Sequence, residues 1–412
     1  MKLGRYGDVS RYRVGPRTSY FINHPELVHQ ILTHPKIVRT TLSRKLLGSF
    51  FPGLLTQEGA KHLQQRRLMQ PAFHRRRLEH YAELMIDETD KQLSAWSSGS
   101  VQEMTLEMKE LTFRIVSRAL FSDAGDATRS VNGALDQLQA SVMTKFKLYV
   151  ALPNWLPVLS TAADRRTKAT FTTIVQTLVN ERRADPGDRG DLLSMLLEAQ
   201  DEDGTRMTDE DIIGQSVTLL TAGHETTAST LAWALYLLGK HPEALAKLQA
   251  EVRGVLEDRE PTLADLKSLS YTEWVIHETQ RLYPVAWNAA RVSSEPVELG
   301  GYTFEAGAPL TMSVYVTHRD ERFFPDPETF DPERFSPERR SSIPKHAFLP
   351  FGAGSHICIG NAFALMEARL ILARIVQRFD LNLKPGYVAE LSPQITLGIG
   401  NGLPVELTAV NA

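Results

Sequence analysis

The only cysteine of the 412-residue sequence lies in FGAGSHICIG, Phe351 to Gly360, directly after a glycine-rich loop and directly before a helical pattern. Free backbone N–H groups and the positive end of the helix dipole favour a thiolate at such a junction, so Cys358 carries an electron-rich sulfur by position alone. Gly352, Gly354 and Gly360 permit tight backbone approach to a flat ligand, with N–H groups turned toward sulfur. A phosphate cradle is the rival reading, but Ile357 stands where G-x-G-x-x-G needs its third glycine and no GK[ST] follows. A second constellation is AGHETT, Ala222 to Thr227. The Thr226 hydroxyl beside the Glu225 carboxylate, inside a helix, can relay protons through water into an apolar pocket. The plainer alternative is a threonine bonded back to its own helix carbonyl and an exposed glutamate. A zinc-protease reading of His224-Glu225 fails, because H-E-x-x-H would need histidine at Ala228. In ETQR, Glu278 and Arg281 are three apart and share one helical face, where they can form an ion pair inside a core.

The elements that must position these groups are mostly helical. Apolar residues are 42% and charged residues 23%, ordinary for a chain that buries a core, and the net charge of −3 leaves no global basic field for phosphate backbones. Nucleic-acid binding is therefore not expected. A lone cysteine excludes intrachain disulfides and multi-cysteine metal sites and points to a reducing, cytoplasmic compartment. Neither a membrane span nor a secretory leader is visible. No repeat or long linker divides the chain, so one domain over 1–412 is expected. Asp8 to Phe21 reads as two strands turning at Gly15-Pro16, HPELVHQIL as a short helix, and 61–120 as three helices. More helix follows over 141–200, broken by LPNWLP, with ERRADPGDRGD as a solvated loop. Thr208 caps a helix that runs past thirty residues to Pro242, and its middle, TLLTAGHETTASTLAW, is rich in small and hydroxylated residues. A helix over Tyr271 to Leu282 precedes the strands PVELGGYTF and APLTMSVYV. The Pro-rich FFPDPETFDPERF, a last helix over Ile359 to Phe379, and a hairpin in PQITLGIGNGLPVELTAV complete the chain.

The cysteine segment matches FxxGxxxCxG position by position, and the sequence therefore resembles the cytochromes P450 from YGDV at Tyr6 to the C-terminal hairpin. The resemblance implies a mainly α fold with a small β region around a buried haem b, with Cys358 as axial thiolate. Phe351 would shield the sulfur, and His356 would reach a haem propionate. ETQR resembles ExxR, and Arg334 in PERF its third member, so Glu278, Arg281 and Arg334 would be structural. AGHETT resembles [AG]Gx[DE]T, which makes Thr226 and Glu225 the alcohol–acid pair that handles protons, with Ala222 and Gly223 leaving room over the haem face. His62 and Arg66 in KHLQQRR, one turn apart, and Arg291 fit propionate anchoring; many relatives carry tryptophan at the first of these positions. YGDV begins at Tyr6, whereas relatives usually carry some tens of residues, including a first helix, before it.

The implied activity is monooxygenation: one atom of O2 enters a C–H bond and the other leaves as water, with NAD(P)H electrons arriving through a separate ferredoxin or flavodoxin-type donor. Arg66, Arg67, Arg75, Arg76, Arg77 and Lys345 would offer that donor a basic patch, against the bland reading of a solvated helix face. Pocket candidates by resemblance are Leu46 to Leu55, Leu219, Ala222, Val285, Ala286, Trp287, Thr396 and Leu397, largely apolar and so suited to an apolar substrate. RLYPVAW is similar to that of P450s acting on terpenoids, including carotenoids, and on fatty acids. Two alternatives stand beside this: a peroxygenase or isomerase of the same fold, and a haem-free protein in which His356 assists Cys358 as nucleophile.

Overall fold

The computed structural model describes residues 7–15, 17–48, 53–122, 141–148, 160–185, 187 and 189–410. The helices are α1 (Pro25–Thr33), α2 (Thr41–Gly48), α3 (Gly59–Met69), α4 (Arg75–Ser94), α5 (Met104–Phe121), helical residues 141–148 (α6), α7 (Ala162–Ala184), α8 (Leu192–Glu198), α9 (Asp209–Lys240), α10 (Pro242–Leu256), α11 (Ser270–Leu282), α12 (Val314–Thr317), α13 (Pro337–Arg340) and α14 (Asn361–Arg378). Tyr6, LPNWLP and residues 49–52 of the Leu46 to Leu55 segment lie outside the described residues, as do the side chains of Arg75 and Arg76.

The long helix forms as its sequence dictates. Thr208 Oγ1 accepts from Asp211 N at 3.2 Å, and Asp209, Glu210 and Asp211 face the positive end of the dipole. Its 32 residues span roughly 48 Å at 1.5 Å per residue, enough to cross the molecule. α9 packs along α5, and the last turns are almost fully buried, from Ala228 to Leu238. α14 is buried on nearly every side, as a helix sealed under others must be.

Five strands form the larger sheet in the order β1 (Val9–Val14), β2 (Arg17–Ile22), β8 (Leu310–Met312), β5 (Ala289–Ser293), β3 (Ile37–Arg39). β2 runs parallel to β8, and every other pair is antiparallel. In the β3–β5 register Arg39 lies opposite Arg291, so both guanidinium groups leave the same face. β6 (Val297–Leu299) and β7 (Tyr302–Phe304) make the expected hairpin.

Three sequence expectations are corrected. APLTMSVYV is a strand only at its start, because α12 begins at Val314. The C-terminal segment is not one hairpin: β10 (Leu391–Pro393) pairs with β11 (Leu397–Ile399), whereas β12 (Pro404–Ala409) joins β9 (Phe379–Leu383) and β4 (Val101–Glu103). ERRADPGDRGD is not a wholly solvated loop. Its first residues end α7, and Arg182 and Asp191 form a buried bidentate pair at 2.7 Å for both contacts, which removes both charges from water. Among the described residues no helix is long and apolar enough to cross a membrane.

Candidate active site

Cys358 sits between a short 3₁₀ turn, Gly354–His356, and the N-terminus of α14. The loop closes on itself, since Cys358 N donates to Phe351 O at 3.0 Å. Gly352 and Gly354 take φ of 73° and 72°, a region that favours glycine, and a Cβ at Gly354 would lie 2.4 Å from Leu32 O of α1. Cys358 is exposed as a residue, yet its sulfur lies deep enough that burial pushes the thiol pKa up, against the Gly360 N–H and the Arg66 charge, which favour thiolate.

α9 has an open face of its own. Ala222 is exposed midway along this core helix, and Thr221, Glu225 and Thr226 are half-buried. Gly223 does not serve the open face: its missing side chain admits Val116 of α5, whose Cγ2 would lie 2.8 Å from a Cβ there. Thr226 Oγ1 donates to Ala222 O at 2.8 Å, the back-bonded geometry, which leaves its oxygen available as an acceptor. Glu225 Oε1 accepts from Thr396 Oγ1 at 2.8 Å.

Next to the cysteine loop lies a cluster of arginines. Arg66 Nη1 donates to Ile357 O at 2.7 Å. Burial and the facing Arg39 hold the Arg291 pKa down at about 10, and Arg291 makes no ion pair among the described residues. Its hydrogen bond is to Ala290 O at 3.1 Å. Arg39 Nε donates to Leu55 O at 2.9 Å. Like charges set directly opposite on a sheet repel and call for anionic groups between them. The His62 and His356 rings lie 4.0 Å apart. Burial, then the charges of His356, Arg39 and Arg66, push His62 down to about 4, so it is neutral at pH 7 and the compensating charge comes from the arginines. His356 Nε2 bonds Glu58 Oε2 at 2.8 Å, while its Nδ1 is buried without a partner among the described residues. That bond and the Arg39 N–H, opposing burial, hold Glu58 down at about 2.

Beneath this face Glu278 and Arg281 are fully buried and bidentate, 2.7 Å for each contact. Arg281 also donates to His318 O (2.9 Å), Pro327 O (2.7 Å) and Thr329 O (3.0 Å), and Arg334 Nε approaches Glu278 at 3.5 Å. His318, pushed down to about 3 by burial, is neutral and its Nε2 accepts from Leu349 N at 3.1 Å, which ties the pair to the loop before Phe351.

A cysteine at the N-terminus of α14, an open small-residue face on α9 and the cluster of Arg39, Arg66 and Arg291 fit haem, whose iron takes a cysteine sulfur and whose two propionates take arginines. The family model for cytochrome P450 matches residues 3–401. The chain belongs to the cytochrome P450 family. It is a haem b monooxygenase that uses O2 and takes its electrons from a redox partner. The P450s it resembles include cyclooctatin synthase of Streptomyces melanosporofaciens, 40% identical over 97% of this chain and 88% of the relative. Cyclooctat-9-en-7-ol 5-monooxygenase of the same organism is 39% identical over 93% and 84%. Pentalenene oxygenase of Streptomyces avermitilis is 36% identical over 93% and 86%. The crystal structure of the cytochrome P450DA haem domain superposes with a TM-score of 0.87 at 26% identity, covering 98% of this chain and 90% of that one.

The other pocket candidates divide. Ala286 is exposed, and Leu219, Trp287 and Thr396 are half-buried. Val285 and Leu397 are core residues at 7% and 2% exposure, joined by Leu397 N to Val285 O at 3.0 Å. In the Leu46 to Leu55 segment, Leu46 and Leu54 are buried and Leu55 is exposed. Of the basic-patch residues, Arg66 donates to the cysteine loop at Ile357 O and Arg67 pairs with Asp201 at 3.1 Å. Arg39, Glu58, His318 and Glu367 went unnoticed in the sequence. Glu367 was open to detection, as a lone acid among the apolar residues that follow Cys358.

Proposed function

We propose that this P450 hydroxylates an apolar terpenoid skeleton, with electrons from a ferredoxin or flavodoxin-type donor, as a single domain over 1–412 in the cytoplasm. The observation that carries the substrate class is the likeness, at 40% and 39% identity over nearly the whole chain, to two enzymes named for cyclooctatin and cyclooctat-9-en-7-ol. The apolar character of Leu219, Ala222 and Ala286 supports it.

In this reading Cys358 Sγ would hold the haem iron. Arg66, Arg291 and Arg39 would hold the two propionates, with N–H groups from His62 and His356 completing the set. When bound, the haem supplies the redox chemistry: O2, R–H, two electrons and two protons become R–OH and water. The chain supplies the protons and the exclusion of water. Glu225 would take a proton from solvent on a carboxyl oxygen and pass it into the pocket through water, and the Thr226 hydroxyl, its own proton engaged by Ala222 O, would accept a hydrogen bond from that water and hold it in place. Glu278, Arg281 and Arg334 would support the loop from below, and Phe351 would cover the sulfur.

A screen of haem spin-state change with polycyclic terpenoid alkenes and with fatty acids tests the substrate class. The terpenoids should change the spin-state spectrum at micromolar concentration. Response to the fatty acids alone would overturn it.

A further inference from the structure

The turn at 394–396 is clamped from three sides. Trp287 Nε1 donates to Gln394 O, Leu397 N to Val285 O, and Trp233 Nε1 of α9 to Leu397 O, each at 3.0 Å. Gln394 N also donates to Thr396 O at 3.0 Å, which tightens the turn itself. Backbone atoms on the turn side of these contacts fix where it sits. Thr396 adds a different kind of bond: its hydroxyl donates to the Glu225 carboxylate across 171 residues of sequence.

We propose that Thr396 is a positioning residue for Glu225, holding the carboxylate in one orientation beside Thr226 during proton handling. This rests on the reading of Glu225 as the proton-carrying acid. A glutamate has several rotatable bonds, and a half-buried one is fixed only by what it touches. A hydroxyl donor favours the ionised form and fixes the position of the oxygen that accepts it. Because the donor is carried on a clamped turn, the carboxylate inherits the turn's placement. The valine variant keeps the volume and the β-branched shape of Thr396 and removes only the donor, whereas serine keeps the donor and removes a methyl.

The experiment uses haem-loaded Thr396→Val, Thr396→Ser and Glu225→Gln, with ferredoxin, ferredoxin reductase, NADPH and dioxygen as the sole acceptor. Two electrons and two protons then convert O2 to hydrogen peroxide, and the rate of that conversion, counted as peroxide formed per NADPH oxidised with superoxide trapped separately by a cytochrome c reporter, reads proton handling without a substrate. Binding of 4-phenylimidazole, followed by its spectrum, reports the integrity of the pocket. Thr396→Val should oxidise NADPH roughly tenfold more slowly, the scale expected for loss of a hydrogen bond to a charged group. Its pH profile should shift and its solvent isotope effect change, while 4-phenylimidazole affinity stays within about twofold and serine restores the parent values. Parent-like rate, profile and isotope effect in Thr396→Val, beside an impaired Glu225→Gln, would overturn the role of Thr396 alone. A silent Glu225→Gln would overturn the acid reading and this inference with it. Equal losses in valine and serine variants, with weakened 4-phenylimidazole binding, would assign the effect to hairpin packing and overturn the role of the hydroxyl.

Discussion

Glu367, on α14 and packed toward α9, is fully buried, and neither carboxyl oxygen meets a hydrogen-bond donor among the described residues. The nearby Thr227 hydroxyl donates to Gly223 O at 3.3 Å and only partly offsets the burial, which pushes the carboxyl from 4.5 up to about 8. Between those values the folded protein holds a proton that the unfolded chain has released, so stability falls as pH rises through this window. At 1.36 kcal/mol for each pH unit above 4.5, the cost reaches about 3 kcal/mol at pH 7 and stays under about 1 kcal/mol at pH 5. Glu367→Gln has the same shape and no proton to lose. With an unfolding entropy near 2.1 cal/mol/K per residue over 412 residues, it should raise Tm by about 4 °C at pH 7 and about 1 °C at pH 5. Differential scanning fluorimetry of both haem-loaded proteins between pH 5 and pH 8 measures this. An equal gain at every pH, or a loss at pH 8, would refute the assignment of a protonated, buried carboxyl.

Removing Glu278 by alanine leaves two buried guanidinium groups uncompensated and should cost about 3–5 kcal/mol, a large part of a typical total. Soluble, haem-replete Glu278→Ala protein with parent-like Tm would contradict the structural role given to this pair. Glu58→Ala frees His356 Nε2 and should speed haem transfer to apomyoglobin several-fold; an unchanged transfer rate would show that Glu58 does not steady the ring. Since the folded Glu58 carboxyl is held near 2, below its ordinary 4.5, that support is complete above pH 4.5 and is lost as pH falls toward 2. Parent-protein haem transfer should accelerate over the same window.

The legible parts of the site were those whose chemistry is written in adjacent residues. Cys358 at a loop–helix junction, the AGHETT run and the ETQR tetrad each announce themselves within a few positions, because one turn of backbone brings their groups together. Arg39 carried no such signal. Its meaning arises from strand register, which sets it opposite Arg291. Glu58 and His356 are 298 residues apart. His318 matters because one face of it serves Arg281 and another serves Leu349, a three-way contact no spacing encodes. The fold shows the same division. Helix periodicity located α3 to α5, α9, α11 and α14, whereas pairing of β12 with β9 and β4 depended on partners that local alternation cannot name. The burial of Arg182 with Asp191 likewise reversed a polar stretch that composition alone marks as solvated.

The parallel pairing of β2 with β8 has a cost in time. Tyr20, Phe21 and Ile22 meet Leu310, Thr311 and Met312 only after nearly three hundred further residues have left the ribosome. At about 5–20 residues per second that interval is roughly 15–60 s. Through it the apolar edge of β2 is available to any other nascent strand, so an early-acting chaperone, or a slowed supply of competing chains, should decide how much of this enzyme reaches its native state.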